Sequence, residues 1–161
     1  MVRSAAVILA FGLCAAPQSA AADNRCKQVK GTWIDGVPGT PYTGESGRIT
    51  QGGILTGTTV VVYDPAFVYT PNPNFVAYIS QLTITTNQGQ LTASNVYLYD
   101  IVTNDLWTAI GYIDPNTSTG KFAGATGVLY FNGKTIGIYP LAVYTAEITG
   151  QVCLARESGS E

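Results

Sequence analysis

The sequence contains no histidine. Without imidazole it can build neither a Ser-His-Asp nor a Cys-His nucleophilic system, and any metal site loses its commonest nitrogen ligand. Charge is scarce too: Asp, Glu, Lys and Arg make up 11% of the 161 residues, and the formal net charge is −2. An average soluble protein carries about 25% charged residues. The Lys and Arg residues are scattered, so the basic stripe that nucleic-acid binding requires is missing and nucleic acid is not expected as a partner. The carboxylates fall about one per segment, without the spacing of a calcium loop, so no metal and no other cofactor is expected. There are three cysteines and no Cys-x-x-Cys. Beyond the N-terminal segment, no stretch shows an apolar i, i+3, i+4 pattern with helix caps.

The N-terminus reads as a secretory signal over residues 1–22. Arg3 supplies the positive start, Ala5 to Ala16 the short apolar run, and Ala20-Ala21-Ala22 a small-residue cleavage site before Asp23. A membrane-spanning helix needs about 20 consecutive apolar residues. This run is shorter and breaks at Pro17-Gln18, so no membrane span is expected and the protein is expected to be secreted, extracellular or periplasmic. Residues 23–155 then form one domain and 156–161 a polar tail. Cys14 leaves with the signal, and the bulky Leu13 before it argues against lipidation. Cys26 and Cys153 remain, near opposite ends of the mature chain. In an oxidising compartment two cysteines have one pairing, which ties the first strand to the last.

What the chain has in quantity is β-sheet punctuation. Gln28 to Ile34, Arg48 to Thr50 continued by Ile54 to Tyr63, Phe75 to Thr86, Leu91 to Asp100, Leu106 to Ile113, Val128 to Phe131, Thr135 to Tyr144 and Ala146 to Leu154 read as strands. Asp64-Pro65, Thr70 to Asn74, Asn87 to Gln90 and Thr103 to Asp105 separate them, and Asn132-Gly133 gives a type I′ hairpin signal. The expectation is an all-β domain of about eight sequentially connected strands. An antiparallel up-and-down β-barrel of the calycin type removes sheet edges, and a Cys26–Cys153 bridge would set its first and last strands side by side. A β-sandwich satisfies the same strand count.

Ser118-Thr119-Gly120-Lys121-Phe122, then Gly124-Ala125-Thr126-Gly127, and a late Glu147-Ile148-Thr149-Gly150 resemble the barrel family of allene oxide cyclases and dirigent proteins. Dirigent proteins place paired glycines where this chain has Thr117-Ser118. The resemblance implies an eight-stranded antiparallel barrel with an apolar interior pocket, assembled as a trimer. It also implies cofactor-free chemistry, either cyclisation of a reactive lipid epoxide or steering of phenoxy-radical coupling. No catalytic residue of either activity maps onto this chain. Gly120-Lys121 superficially resembles a phosphate loop, but Pro115 replaces the first glycine and Phe122 the final Ser or Thr.

Aromatic residues are the richest site material. Tyr78 shares its phase with Val76, Leu82 and Ile84, which places it on a buried face. With Tyr97, Tyr99 and Tyr112 it forms the candidate ligand lining. Asp100, in phase with Val96 and Leu98, joins them as a candidate carboxylate at a barrel mouth if that face points inward. The competing reading fills the core with the rings and uses Asp100 as a strand-end cap. Glu147 alternates against Ile148, Val152 and Leu154 and is placed on the outer face. Val60 to Tyr63 and Val128 to Phe131 are apolar on both faces, which predicts homo-oligomerisation through the outer wall. The functional expectation is a secreted barrel that binds a small apolar molecule and can steer a cyclisation or coupling. Its alternative is a non-catalytic structural or interaction module with a filled interior.

Overall fold

The computed structural model describes residues 25–36, 45–103, 105–137 and 142–156. The expected signal segment with Cys14, and the tail beyond Arg156, lie outside the described residues. Eight strands follow in order: β1 (Cys26–Asp35), β2 (Glu45–Thr50), β3 (Gly57–Tyr69), β4 (Phe75–Thr86), β5 (Gly89–Asp100), β6 (Leu106–Ile113), β7 (Thr126–Ile136) and β8 (Val143–Cys153). Each pairs antiparallel with the next, and β1 pairs with β8 to close a barrel. Closure leaves no free sheet edge, and it decides between barrel and sandwich. Cys26 stands directly opposite Cys153 at the β1–β8 seam, and the two form a disulfide across 127 residues of sequence. No helix among the described residues is long and apolar enough to cross a membrane.

Two turn signals read from the sequence fail locally, and the expected Thr135–Tyr144 strand divides between β7, which ends at Ile136, and β8, which begins at Val143. Asp64-Pro65 does not end β3: the strand bulges between Tyr63 and Phe67 and then resumes pairing with β4. Proline has no N–H to offer a ladder, and a bulge is one of the few places a strand tolerates it. Asp64 Oδ1 accepts the Ala66 N–H at 2.9 Å and holds the bulge. Asn132-Gly133 is no hairpin turn either, since β7 runs through it in unbroken register with β6 and β8. Gly133 is required for space. A Cβ there would collide with the Trp107 indole and lie 2.7 Å from the Thr145 carbonyl oxygen.

The disulfide end of the barrel is plugged. Between β6 and β7 the chain folds inward through a 3-10 turn, Gly120–Phe122, and buries Phe122 completely. Leu55, from a second 3-10 turn at Gly53–Leu55, joins it with Ala125 and the strand residues Ile84, Leu91, Ile113 and Val152. The plug is latched along the β4–β5 hairpin. Thr119 N donates to Gln90 O at 2.7 Å and Lys121 N to Gln88 O at 2.9 Å. Ser118 Oγ donates to Asp114 O at 2.8 Å and accepts the Thr92 N–H at 3.1 Å. Gly120 adopts φ 59°, and a Cβ on it would stand 2.9 Å from Cα of Gly89. Only glycine suits both the conformation and the approach. The cluster of glycine, lysine and hydroxyls is therefore a stopper for the barrel.

Candidate functional site

Strand phase decides what reaches the interior. In β6, Trp107, Ala109, Gly111 and Ile113 point inward, while Leu106, Thr108, Ile110 and Tyr112 point out. In β5 the inward set is Leu91, Ala93, Asn95, Tyr97 and Tyr99. An eight-stranded barrel has just enough room inside for side chains or one small ligand. Large inward rings therefore need small residues beside them, and the register supplies these. Trp33 on β1 faces Ala146, Ala146 faces Gly133, and Gly133 faces Trp107. The two indoles reach toward each other over this small pair and meet edge to face, with centroids 5.5 Å apart.

Above these indoles, at the end of the barrel opposite the plug, lies a chamber of about 390 Å³. Trp33, Trp107 and Tyr97 are its buried residues, and Tyr63, Tyr78, Tyr99 and Tyr144 are half-buried around it. The exposed Asp64 and Pro65 of the β3 bulge complete the lining. The rings brace one another. Tyr97 lies 5.5 Å from Trp107 and 5.5 Å from Tyr63, and Tyr63 meets Tyr78 edge-on at 6.5 Å. Such ring pairs contribute about 0.5–1.5 kcal/mol beyond the area they bury. Hydrogen bonds fix the orientation of two rings: Trp33 Nε1 donates to Thr59 Oγ1 at 2.9 Å, and Tyr99 Oη bonds Thr135 Oγ1 at 3.1 Å.

The electrostatics are simple. Among the described residues, Asp64 is the one charged side chain in the lining, and no Lys or Arg lines it. The Tyr78 hydroxyl is pushed above its ordinary pKa, first by burial and then by neighbouring Tyr99 and Tyr69, so it is a neutral phenol at physiological pH. The Trp107 N–H is buried and has no acceptor among the described residues. Asn95, beneath Tyr97, gives long hydrogen bonds to Ser80 Oγ and Tyr97 Oη, while its own carbonyl oxygen has no donor among the described residues. No group of three or more His, Cys, Asp or Glu among the described residues could hold a metal.

No family model, curated protein or solved structure matches this chain. The site must therefore be read from its own residues.

Of the residues expected to line a ligand site, the structure brings Tyr78, Tyr97 and Tyr99 together in the chamber wall. Tyr112 does not join them. It belongs to the outward phase of β6 and is 60% exposed on the outer wall, because the inward phase of that strand has room for Ala109 and Gly111 but not for another large ring. Asp100 is also outside, in phase with the exposed Val96 and Leu98. It caps the turn after β5, accepting the N–H groups of Val102 at 2.8 Å and Thr103 at 3.3 Å and the Thr103 hydroxyl at 3.1 Å. The Val102 N–H, chiefly, holds its carboxyl below the ordinary range. Glu147 is exposed on the outer face, as alternation implies.

Trp33, Tyr63, Asp64, Pro65, Trp107 and Tyr144 complete the chamber, although the candidate lining expected from the sequence does not include them. One signal for Trp107 was available: Ala109 and Gly111 share its phase, and small residues mark the crowded face. Tyr63 follows Val60-Val61-Val62, where both phases are apolar and parity says nothing. Asp64-Pro65 carries a turn signature, and only the fold shows it as a bulge beside the chamber.

Proposed function

We propose that this protein is a binding barrel whose aromatic chamber takes one small, largely apolar molecule. The observation that carries the reading is the chamber itself: about 390 Å³, walled by two tryptophans and five tyrosines, within the roughly 300–1,000 Å³ of typical small-molecule sites. Both tryptophans of the chain line the chamber, so intrinsic fluorescence reports on it directly. Camphor, a compact apolar ketone, is expected to give a saturable change in emission. A strictly linear response to camphor up to its solubility limit would remove a neutral ligand from the reading of the chamber.

Chemistry is a second reading, favoured by the Asp64 carboxylate in the lining. Confinement in one geometry can steer a cyclisation or a coupling with few acid or base groups, as in the cyclase and dirigent barrels that the sequence resembles. Asp64 would then be the proton acceptor at the rim. The disulfide supports an oxidising compartment, in keeping with secretion.

The outer wall supports self-association. Ile79, Val96, Ile110 and Tyr130 stand directly opposite one another across β4, β5, β6 and β7, and each is at least 39% exposed. A second copy of the chain is the occupant proposed for this uncharged row, and a trimer is the assembly the resemblance implies. Light scattering on a sizing column that shows only monomer at micromolar concentration would exclude it.

A further inference from the structure

Resting on the reading of the chamber as a small-molecule site, we infer that its ligand class is a small organic cation, an alkylated or quaternary ammonium, rather than a neutral hydrocarbon. Such a group has an apolar methyl shell and a diffuse positive charge, and this chamber offers something to each. The shell meets ring carbon on several sides. Trp33 and Trp107 cross at 86° and Tyr63 and Tyr78 at 76°, so the walls present π-systems from nearly perpendicular directions. Cations are attracted to ring faces within about 6 Å of the centroid, most strongly to tryptophan.

The charge meets Asp64, the one acidic side chain among the described residues of the lining. Its Oδ1 is engaged by the Ala66 N–H and its Oδ2 takes no hydrogen bond from any described residue. The bulge that Pro65 imposes on β3 sets this carboxylate beside Tyr63, itself part of the ring wall. An anionic ligand would find no Lys or Arg in the lining and would be repelled by Asp64. A neutral apolar ligand would use the rings but gain nothing from the carboxylate. Only a cation uses both.

The test compares choline with 3,3-dimethylbutan-1-ol, which has the same shape but carbon in place of the charged nitrogen. Both are titrated at equal ionic strength against the fluorescence of Trp33 and Trp107, with camphor as the neutral reference. Choline is expected to bind about tenfold more tightly than the alcohol. Asp64→Asn keeps the acceptor for Ala66 N–H and is expected to reduce the preference for choline over the alcohol at least threefold. Equal affinity for choline and the alcohol in the native protein overturns the inference without recourse to any variant. Preference that survives Asp64→Asn intact overturns the role given to Asp64. Binding of camphor but not choline overturns the cation class and leaves the chamber as a neutral site, whereas failure of all three probes removes both readings.

Discussion

Replacing Gly133 by alanine should disturb the chamber from a position that does not line it. The glycine has no need of an unusual backbone angle, and it lies within β7 with partners on both sides. Its lack of a side chain matters because the Trp107 ring rests against its Cα. A methyl group there would overlap Cε2 and Cζ2 of the indole and sit 2.7 Å from the Thr145 carbonyl oxygen. Carbon atoms pack at about 3.5–4.0 Å, so the ring must withdraw by more than about 1 Å. It cannot withdraw freely, since Trp33 and Tyr97 each stand 5.5 Å from it. Overpacking of this kind costs about 1–3 kcal/mol, and the entropy lost from the unfolded chain on Gly→Ala returns about 0.4–1 kcal/mol. A net loss of about 1–2 kcal/mol is expected in urea unfolding, with a shifted tryptophan emission maximum and weakened camphor binding. A Gly133→Ala protein with native stability, native emission and native binding would refute the account of why this glycine is there.

Three further outcomes follow from other parts of the barrel. Replacing Cys26 and Cys153 together by serine opens a loop spanning 127 residues of sequence, which the chain-entropy argument values at about 4–5 kcal/mol. For a domain of this size the thermal midpoint should fall by roughly 10–20 °C, and an unchanged midpoint would show that β1–β8 pairing alone holds the seam. Phe122→Ala empties the centre of the plug and should cost about 3–5 kcal/mol in denaturant unfolding, while the folded variant keeps its camphor affinity because the chamber lies at the other end. Asp114 is held below its ordinary pKa first by the Asn116 N–H and then by the Thr117 hydroxyl. Its folded pKa lies below the unfolded one, so its contribution is complete above the unfolded value and fades as pH falls through the folded value. Asp114→Asn should therefore lose less thermal stability than the native protein between about pH 5 and pH 2. A parallel decline in the two proteins would remove this aspartate from the acid response.

The fold was legible where one period or one count spoke alone. Phe75–Thr86 and Leu106–Ile113 coincide with β4 and β6, because turn residues flank both runs. Two cysteines at opposite ends indicated the closing seam. The sequence misled where one local signal has two physical meanings. Asn-Gly marks a hairpin when the backbone must turn, and it also occurs mid-strand when a neighbouring indole requires a missing Cβ, as at Gly133. Asp-Pro ends most strands but bulges one whose pairing resumes beyond it, as at Asp64-Pro65. The site was legible only in part for a related reason. Tyr78 was placed by an unambiguous apolar phase, whereas Tyr112 and Asp100 lie on strands whose two phases are both rich in apolar residues. There, residue size separates inside from outside better than hydrophobicity does, because the interior of a small barrel is limited by volume.

That volume limit also explains why stability and binding occupy opposite ends. Side chains at the disulfide end, Phe122, Leu55, Ile84 and Leu91, are fully buried, and the loop carrying Phe122 is bonded to the β4–β5 hairpin at several points. At the other end the interior is lined by rings that brace one another edge to face or at a tilt, an arrangement that holds walls apart instead of collapsing them. Aliphatic side chains in the same positions would have fewer fixed geometries and would pack the space closed. Tryptophan and tyrosine bury large areas while moving about few torsions, so a wall built from them can stay rigid around a volume it does not fill. The plug and the seam can thus supply the cooperative stability of the barrel, and the ring-lined end is free to keep the chamber that a filled core would have eliminated.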